Sequence, residues 1–237
     1  IHWPDLKVYL TPVTDQWAVV CVCGPQSRRV LHDAGIDIDI SGDAFKFLDT
    51  RLCTVAGLSA RVSRVTYTGE LSFEVAVATR HGLTLWNTLI AAGQKFDITP
   101  VGSDTSMLLR TEKGFIAAGL EGDGYADIYD VGMGWLVPEK KADFVGKRSL
   151  EKNRRSGGGR PEVVGLLPHD RSFVPPKGAP VVEYGDDQDE PRQMGMVTIG
   201  FYSPNLGGSI ALAQLRDGRS CLGQTATIFT NAGVETA

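Results

Sequence analysis

Apolar and polar positions alternate along two stretches on either side of one glycine. Residues 58–66 and residues 73–77 both carry the period of two expected of half-buried strands. The turn between them reads Tyr67-Thr68-Gly69-Glu70-Leu71-Ser72. Gly69 can take a backbone with φ > 0 at little cost, so the chain reverses tightly and the next carboxylate, Glu70, is held by rigid neighbours. From the residues alone this is either an ordinary hairpin with a solvated Glu, since loops carry charges routinely, or a mount for a functional one.

Upstream, residues 17–23 read as a buried strand broken by Gly24-Pro25, with Pro25 opening a helix that continues to Gly35. A glycine-rich phosphate loop needs more glycines and a Lys-Ser/Thr ending, and none is read here. A short helix is expected over residues 41–48, with Ser41 as its N-cap. Residues 80–93 place apolar side chains at 83, 86, 89 and 90, one face of a helix that stops at Gly93. Strand, helix, strand, strand, helix is an α+β pattern with a mainly antiparallel sheet.

The helix that follows Pro100 places Asp104, Leu108 and Arg110 within two turns. Arg110 and Gly114, four apart, share a face, whereas Glu112 points away from it. On bare sequence Arg110 reads as a surface or ion-paired arginine. Residues 115–125 form a glycine-rich connection; Asp123, Asp127 and Asp130 do not match a calcium loop and read as solvated carboxylates. Trp135, in Gly132-Met133-Gly134-Trp135, reads as a core aromatic at a strand end.

The clearest boundary is Arg154-Arg155-Ser156-Gly157-Gly158-Gly159-Arg160, three glycines between charged flanks, which is linker chemistry. It divides the chain into domains 1–153 and 160–237. From Lys140 to Arg160 eight Lys or Arg face only Asp143 and Glu151, a basic stretch expected to be solvated surface. Beyond it, residues 162–167, 179–184, 193–200, 208–213 and 223–229 read as short strands of a small antiparallel barrel or sandwich, with an acidic hairpin loop over 185–191.

Composition narrows the classes further. A chain of 237 residues can bury a sizeable core in one large or two moderate domains, and 42% apolar with 22% charged residues is a soluble globular balance. The net charge of −4 gives no reason to expect nucleic acid as a partner. No apolar run approaches the ~18 residues of a membrane span and no charged-then-apolar leader opens the chain, so no membrane partner and a cytoplasmic location are expected. Cys21, Cys23, Cys53 and Cys221 do not form a disulfide pattern and are expected as buried thiols, and Cys-x-Cys with no second pair is a poor zinc site. The opening Ile1-His2-Trp3-Pro4-Asp5, without Met, suggests a piece of a longer protein.

Four motifs then occur in a telling order: Tyr67-Thr68-Gly69-Glu70; Asp104 followed by Leu109-Arg110-Thr111-Glu112-Lys113-Gly114; Gly132-Met133-Gly134-Trp135; and Phe144-Val145-Gly146-Lys147. Together they resemble the folate-binding aminomethyltransferase family, to which the T-protein of the glycine cleavage system belongs, over almost the whole chain. Residues 68–74 taken with 109–115 most resemble the C-terminal region of sarcosine oxidase α subunits.

The resemblance implies an aminomethyltransferase-type fold of antiparallel sheet and helices followed by a small C-terminal Greek-key β-barrel. It implies that Glu70 and Arg110 contact tetrahydrofolate. The chemistry suits them: a pterin edge presents N–H donors that a carboxylate accepts bidentately, and a guanidinium matches planar acceptor groups. It further implies a region that captures the one-carbon unit of oxidised N-methylglycine as 5,10-methylenetetrahydrofolate, inside a hetero-oligomer whose other parts or subunits bind FAD or FMN and NAD. By itself the chain is then expected to be inactive. The aspartate credited with the family's chemistry lies upstream of residue 1, so no catalytic residue is assigned. Two alternatives stay open: a T-protein-like aminomethyl- or methyltransferase, and a non-catalytic folate-binding assembly module.

Overall fold

The computed structural model describes residues 5–138, 140–155, 157–184, 191–230 and 233–237. The chain divides into two compact units, residues 1–101 and 102–237.

In the first unit β1 (Trp17–Cys23), β2 (Thr50–Val55), β3 (Leu58–Ser63) and β4 (Ser72–Ala78) form an antiparallel sheet in the order β1-β4-β3-β2. β2 and β3 are joined by Ala56-Gly57, both at positive φ, the two-residue turn whose twist matches that of the strands. β4 lies inside the sheet, and Phe73, Val75 and Val77 have no exposed surface. Two helices, α1 (Ser27–Asp33) and α2 (Gly82–Gly93), send Leu31, Leu85 and Leu89 into the same core.

Three expectations are corrected here. Residues 41–48 make a turn, not a helix: Ser41 Oγ accepts the Ala44 N–H at 3.4 Å as a cap would, but Leu48 turns to φ 72° and its N–H goes to Arg64 O. Ending the turn there seats Phe45, fully buried, against Phe73. The core-facing row of α2 is Leu85, Leu89 and Gly93, whereas Leu83 is 73% and Trp86 42% exposed. That row is an i, i+4 series closed by Gly93, where a Cβ would come within 2.5 Å of Ile98. The thiols are not buried: Cys21 is exposed and Cys23, Cys53 and Cys221 are intermediate. β1 is an edge strand, and it is Val22 that points into the core.

The second unit holds α3 (Ser103–Glu112), α4 (Lys147–Arg155), β5 (Pro161–Leu166), β6 (Pro180–Glu183), β7 (Arg192–Ser203), β8 (Gly208–Arg216), β9 (Thr227–Thr230) and β10 (Gly233–Thr236). The strands form one antiparallel sheet in the order β10-β9-β6-β7-β8-β5. β6, β7 and β8 neighbour one another in sequence order and β5 returns beside β8, which is Greek-key topology. β8 is buried along its length up to Arg216, and α3 packs on β7 and β8.

Trp135 sits in a 3-10 turn (Gly134–Leu136) and is 74% exposed, not a core aromatic. Tyr129 occupies the space beside that turn, 2.4 Å from where a Gly134 Cβ would be. Asp127 and Asp130 are likewise not solvated: Asp130 is buried and ion-paired with Arg160, and Asp127 accepts from Asn153 at 3.0 Å. The glycines of the expected linker are anchored, since the Gly159 N–H donates to both carboxylate oxygens of Asp217, at 2.7 and 2.9 Å. Residues 185–190 of the expected acidic loop lie outside the described residues. Among the described residues no helix is long and apolar enough to cross a membrane.

Candidate functional site

In the first unit, the segment from β3 to β4 is held by hydroxyls and backbone, with Leu71 packed against the core. Thr66 Oγ1 accepts the Gly69 N–H at 2.9 Å, and Thr68 Oγ1 accepts the Glu70 N–H at 3.4 Å, with Gly69 at φ 83°. These are the side-chain turns that short hydroxylated residues favour. Leu71 O then accepts from the Gly24 N–H at 2.8 Å and from Ser27 Oγ at 3.2 Å, which pins the turn to the loop after β1. Thr68 is buried and Glu70 exposed. Among the described residues the Glu70 carboxylate has no hydrogen-bond or ion-pair partner, so a rigid backbone presents a free acceptor.

In the second unit, Arg110 lies in the last turn of α3 with no exposed surface. Its Nη1 donates to Glu121 Oε2 at 2.8 Å and to Phe115 O at 2.7 Å. Glu121 is also fully buried; it accepts from the Ala117 N–H at 3.0 Å and from Thr198 Oγ1 at 2.5 Å, and its own carbonyl accepts from Gln214 Nε2 at 2.9 Å. A buried ion pair persists only when further hydrogen bonds satisfy its charges, and the Glu121 half meets that condition. The arginine half does not: Nε and Nη2 are buried without a partner. Glu112, two residues on, points elsewhere and accepts from Ser203 Oγ and Asn205 Nδ2.

Glu70 thus belongs to the first unit and Arg110 to the second. Sequence reasoning singled out both but missed Glu121, Thr198 and Gln214. Glu121 lies in a glycine-rich connection with no period to give its side chain a face, and its partners come from strands 77 and 93 positions away. A cavity of about 630 Å³ at the sheet of the second unit is lined by residues such as Val164, His169, Met194 and Thr227, and by neither Glu70 nor Arg110. Among the described residues no cluster of metal-ligating side chains occurs.

The GCVT N-terminal domain family model matches residues 1–141, and that of the glycine cleavage T-protein C-terminal barrel domain matches residues 162–237. The chain belongs to the glycine cleavage T-protein family. Within that family it is 42% identical over 227 residues to the sarcosine oxidase subunit alpha of Corynebacterium sp. (strain P-1), covering 94% of this chain and 23% of the relative. It is 31% identical over 215 residues to the aminomethyltransferase of Halothermothrix orenii, covering 91% of this chain and 57% of that protein. The chain therefore spans about a quarter of the sarcosine oxidase α subunits that it matches. The crystal structure of the glycine cleavage system aminomethyltransferase T from Bartonella henselae superposes with a TM-score of 0.77 at 24% identity, over 93% of this chain and 57% of that one, and shows the same fold.

Proposed function

We propose that this chain is the tetrahydrofolate-handling region of a sarcosine-oxidase-type α subunit. In this reading it receives the one-carbon unit released by flavin-dependent oxidation of N-methylglycine and yields 5,10-methylenetetrahydrofolate. The observation that carries the reading is the ranking of relatives: identity is 42% to a sarcosine oxidase α subunit against 31% to an aminomethyltransferase over a similar length. A T-protein-like transferase is the second reading, favoured by the larger share of the aminomethyltransferases that the chain spans, 57% against 23%.

The residues present fit a folate. Glu70 offers a carboxylate that is unengaged among the described residues, on a pinned turn, suited to the paired N–H donors of a pterin edge. Arg110 is assigned to the folate from the family resemblance alone; in the second unit it has no exposed surface, and its Nη1 is committed to Glu121 and Phe115. Bound at the Glu70 turn, tetrahydrofolate would supply the amine nucleophiles that capture the one-carbon unit. The protein's share is placement, which removes translational and rotational entropy from the barrier. The flavin, the nicotinamide cofactor and the partner subunits belong to other parts of the assembly, and the chain alone does not oxidise amines. We assign it the domains 1–153 and 160–237.

Anaerobic calorimetric titration of the protein with tetrahydrofolate, beside Glu70→Ala, tests the reading. Loss of a charged hydrogen bond costs about 1.5–3 kcal/mol, a fall in affinity of about 10- to 150-fold. Unchanged affinity in the variant overturns the assignment of Glu70.

A further inference from the structure

Eight of the chain's 24 Lys and Arg but only two of its 28 Asp and Glu fall between Lys140 and Arg160, so this stretch carries +6 while the rest of the chain carries −10. In the second unit it is gathered on and around α4, and little of it is neutralised there. Lys147 pairs with Glu151 at 4.0 Å and Arg160 with Asp130, while Asp143 accepts the Phe144 N–H at 2.9 Å. Among the described residues Lys141, Arg148, Lys152, Arg154 and Arg155 are exposed and have no carboxylate partner. Arg148, Lys152 and Arg155 recur at i, i+4 and i+7, which makes one basic stripe along α4.

Beside that stripe lies a slot of about 300 Å³ lined by Val137, Pro138, Leu150 and the rings of Tyr129 and Phe144. Its cations are set in place by contacts that leave their charge uncancelled. The Arg154 guanidinium carbon is 5.1 Å from the centre of the Tyr129 ring, and Lys141 Nζ is 5.3 Å from that of Phe144. Lys147 Nζ donates to the Ala142 carbonyl at 2.7 Å and to that of Lys141 at 3.1 Å. A ring face attracts a cation through its quadrupole and carries no net charge, so Lys141 and Arg154 stay open to an anion. Positioning them in advance lowers the ordering cost of binding one.

We propose that α4 and this slot form a docking site for an acidic segment of another polypeptide, with its carboxylates on the cations and one apolar side chain in the slot. Three observations select that occupant. The basic stripe runs the length of a nine-residue helix, about 13 Å, which is more than a lone phosphate or carboxylate covers. The slot is walled by apolar and aromatic side chains, which carboxylates alone leave unfilled. Outside the stretch the chain is acidic, and that charge opposes a membrane or a nucleic acid, whose negative charge extends under the whole molecule, far more than a partner whose acidic charge is confined to the patch. The inference rests on charge and packing in the second unit and does not depend on the folate reading.

The test is fluorescence anisotropy of the protein with two labelled peptides, a short run of glutamates with leucine at its centre and the same run with glycine there. The expected result is saturable binding of the leucine peptide, several-fold weaker binding of the glycine peptide, and weakening of both at about 0.5 M salt, where charges are screened beyond roughly 4 Å. Arg148→Gln combined with Lys152→Gln removes two exposed charges and should lower the affinity for both peptides about tenfold at an unchanged thermal midpoint. Phe144→Ala should abolish the preference for leucine. Absence of binding, equal affinity in the charge variant, or equal affinity for the two peptides overturns the proposal. So does tighter binding of a single-stranded oligonucleotide or of phosphatidylserine vesicles, or a dimer of this chain that the charge variant dissolves.

Discussion

Arg110 and Glu121 form an ion pair at 2.8 Å in which neither side chain has any exposed surface. Such a pair contributes little net stability, because desolvation offsets most of the attraction, but removing one member strands the other charge in the interior. Arg110→Met and Glu121→Leu are each expected to destabilise the protein by about 3–5 kcal/mol, and the double variant by clearly less than their sum. Denaturant unfolding of the four proteins in the cycle measures this. Additive losses would mean that the pair is not coupled.

At the turn in the first unit, stability and binding should separate. Glu70 is exposed and its carboxylate is unengaged among the described residues, so Glu70→Ala should move stability by no more than about 0.5 kcal/mol. Gly69→Ala forces a side chain into φ 83° and should cost roughly 1–2 kcal/mol. Thermal unfolding of both variants checks the contrast; a large loss with Glu70→Ala would mark that residue as structural.

Asp37 predicts an acid dependence. Thr54 N–H donates to its Oδ1 at 2.7 Å, and that backbone bond, followed by the Thr54 side chain, holds the carboxyl below its ordinary value. A depressed native pKa stabilises the fold above the unfolded value of about 3.9, and the contribution is lost as pH falls through the native one. Denaturation midpoints should therefore fall below about pH 4, and Asp37→Asn should show a shallower fall over that window. An identical slope in the variant would remove Asp37 from the account.

Asp217 anchors the glycines that follow α4. It takes φ 50°, and both its oxygens accept the Gly159 N–H. Asp217→Ala removes the anchor, and trypsin should then cut at Arg155 several-fold faster under native conditions. Unchanged cleavage would show that the Arg160–Asp130 pair alone holds the segment.

Much of the candidate site was legible along the chain because it is local. The Tyr67 to Glu70 turn sits between two runs of period two, and a glycine before a carboxylate shows which residue the backbone presents. The helix carrying Arg110 was equally plain. Its burial was not, since the residues that enclose and neutralise it are Glu121 in an aperiodic loop and Thr198 and Gln214 on β7 and β8. A lone residue with no period carries no sign of its face.

The same division runs through the fold. Strands β1, β3, β4 and β5–β9, and helices α1 to α3, followed from spacing, glycine and proline, because each depends on contacts a few residues apart. Edge or centre, and which face of a helix is covered, depended on partners far along the chain. Cys21 is exposed on β1, which ends a sheet, Trp135 is exposed in a 3-10 turn, and α2 buries Leu85 rather than Leu83, on the row where Gly93 leaves space for Ile98. The sequence by itself determined which segments extend, coil into helix and turn; the tertiary structure alone decided which strands pair and which side chains lose their water, since both are properties of the assembled core and not of any stretch of chain.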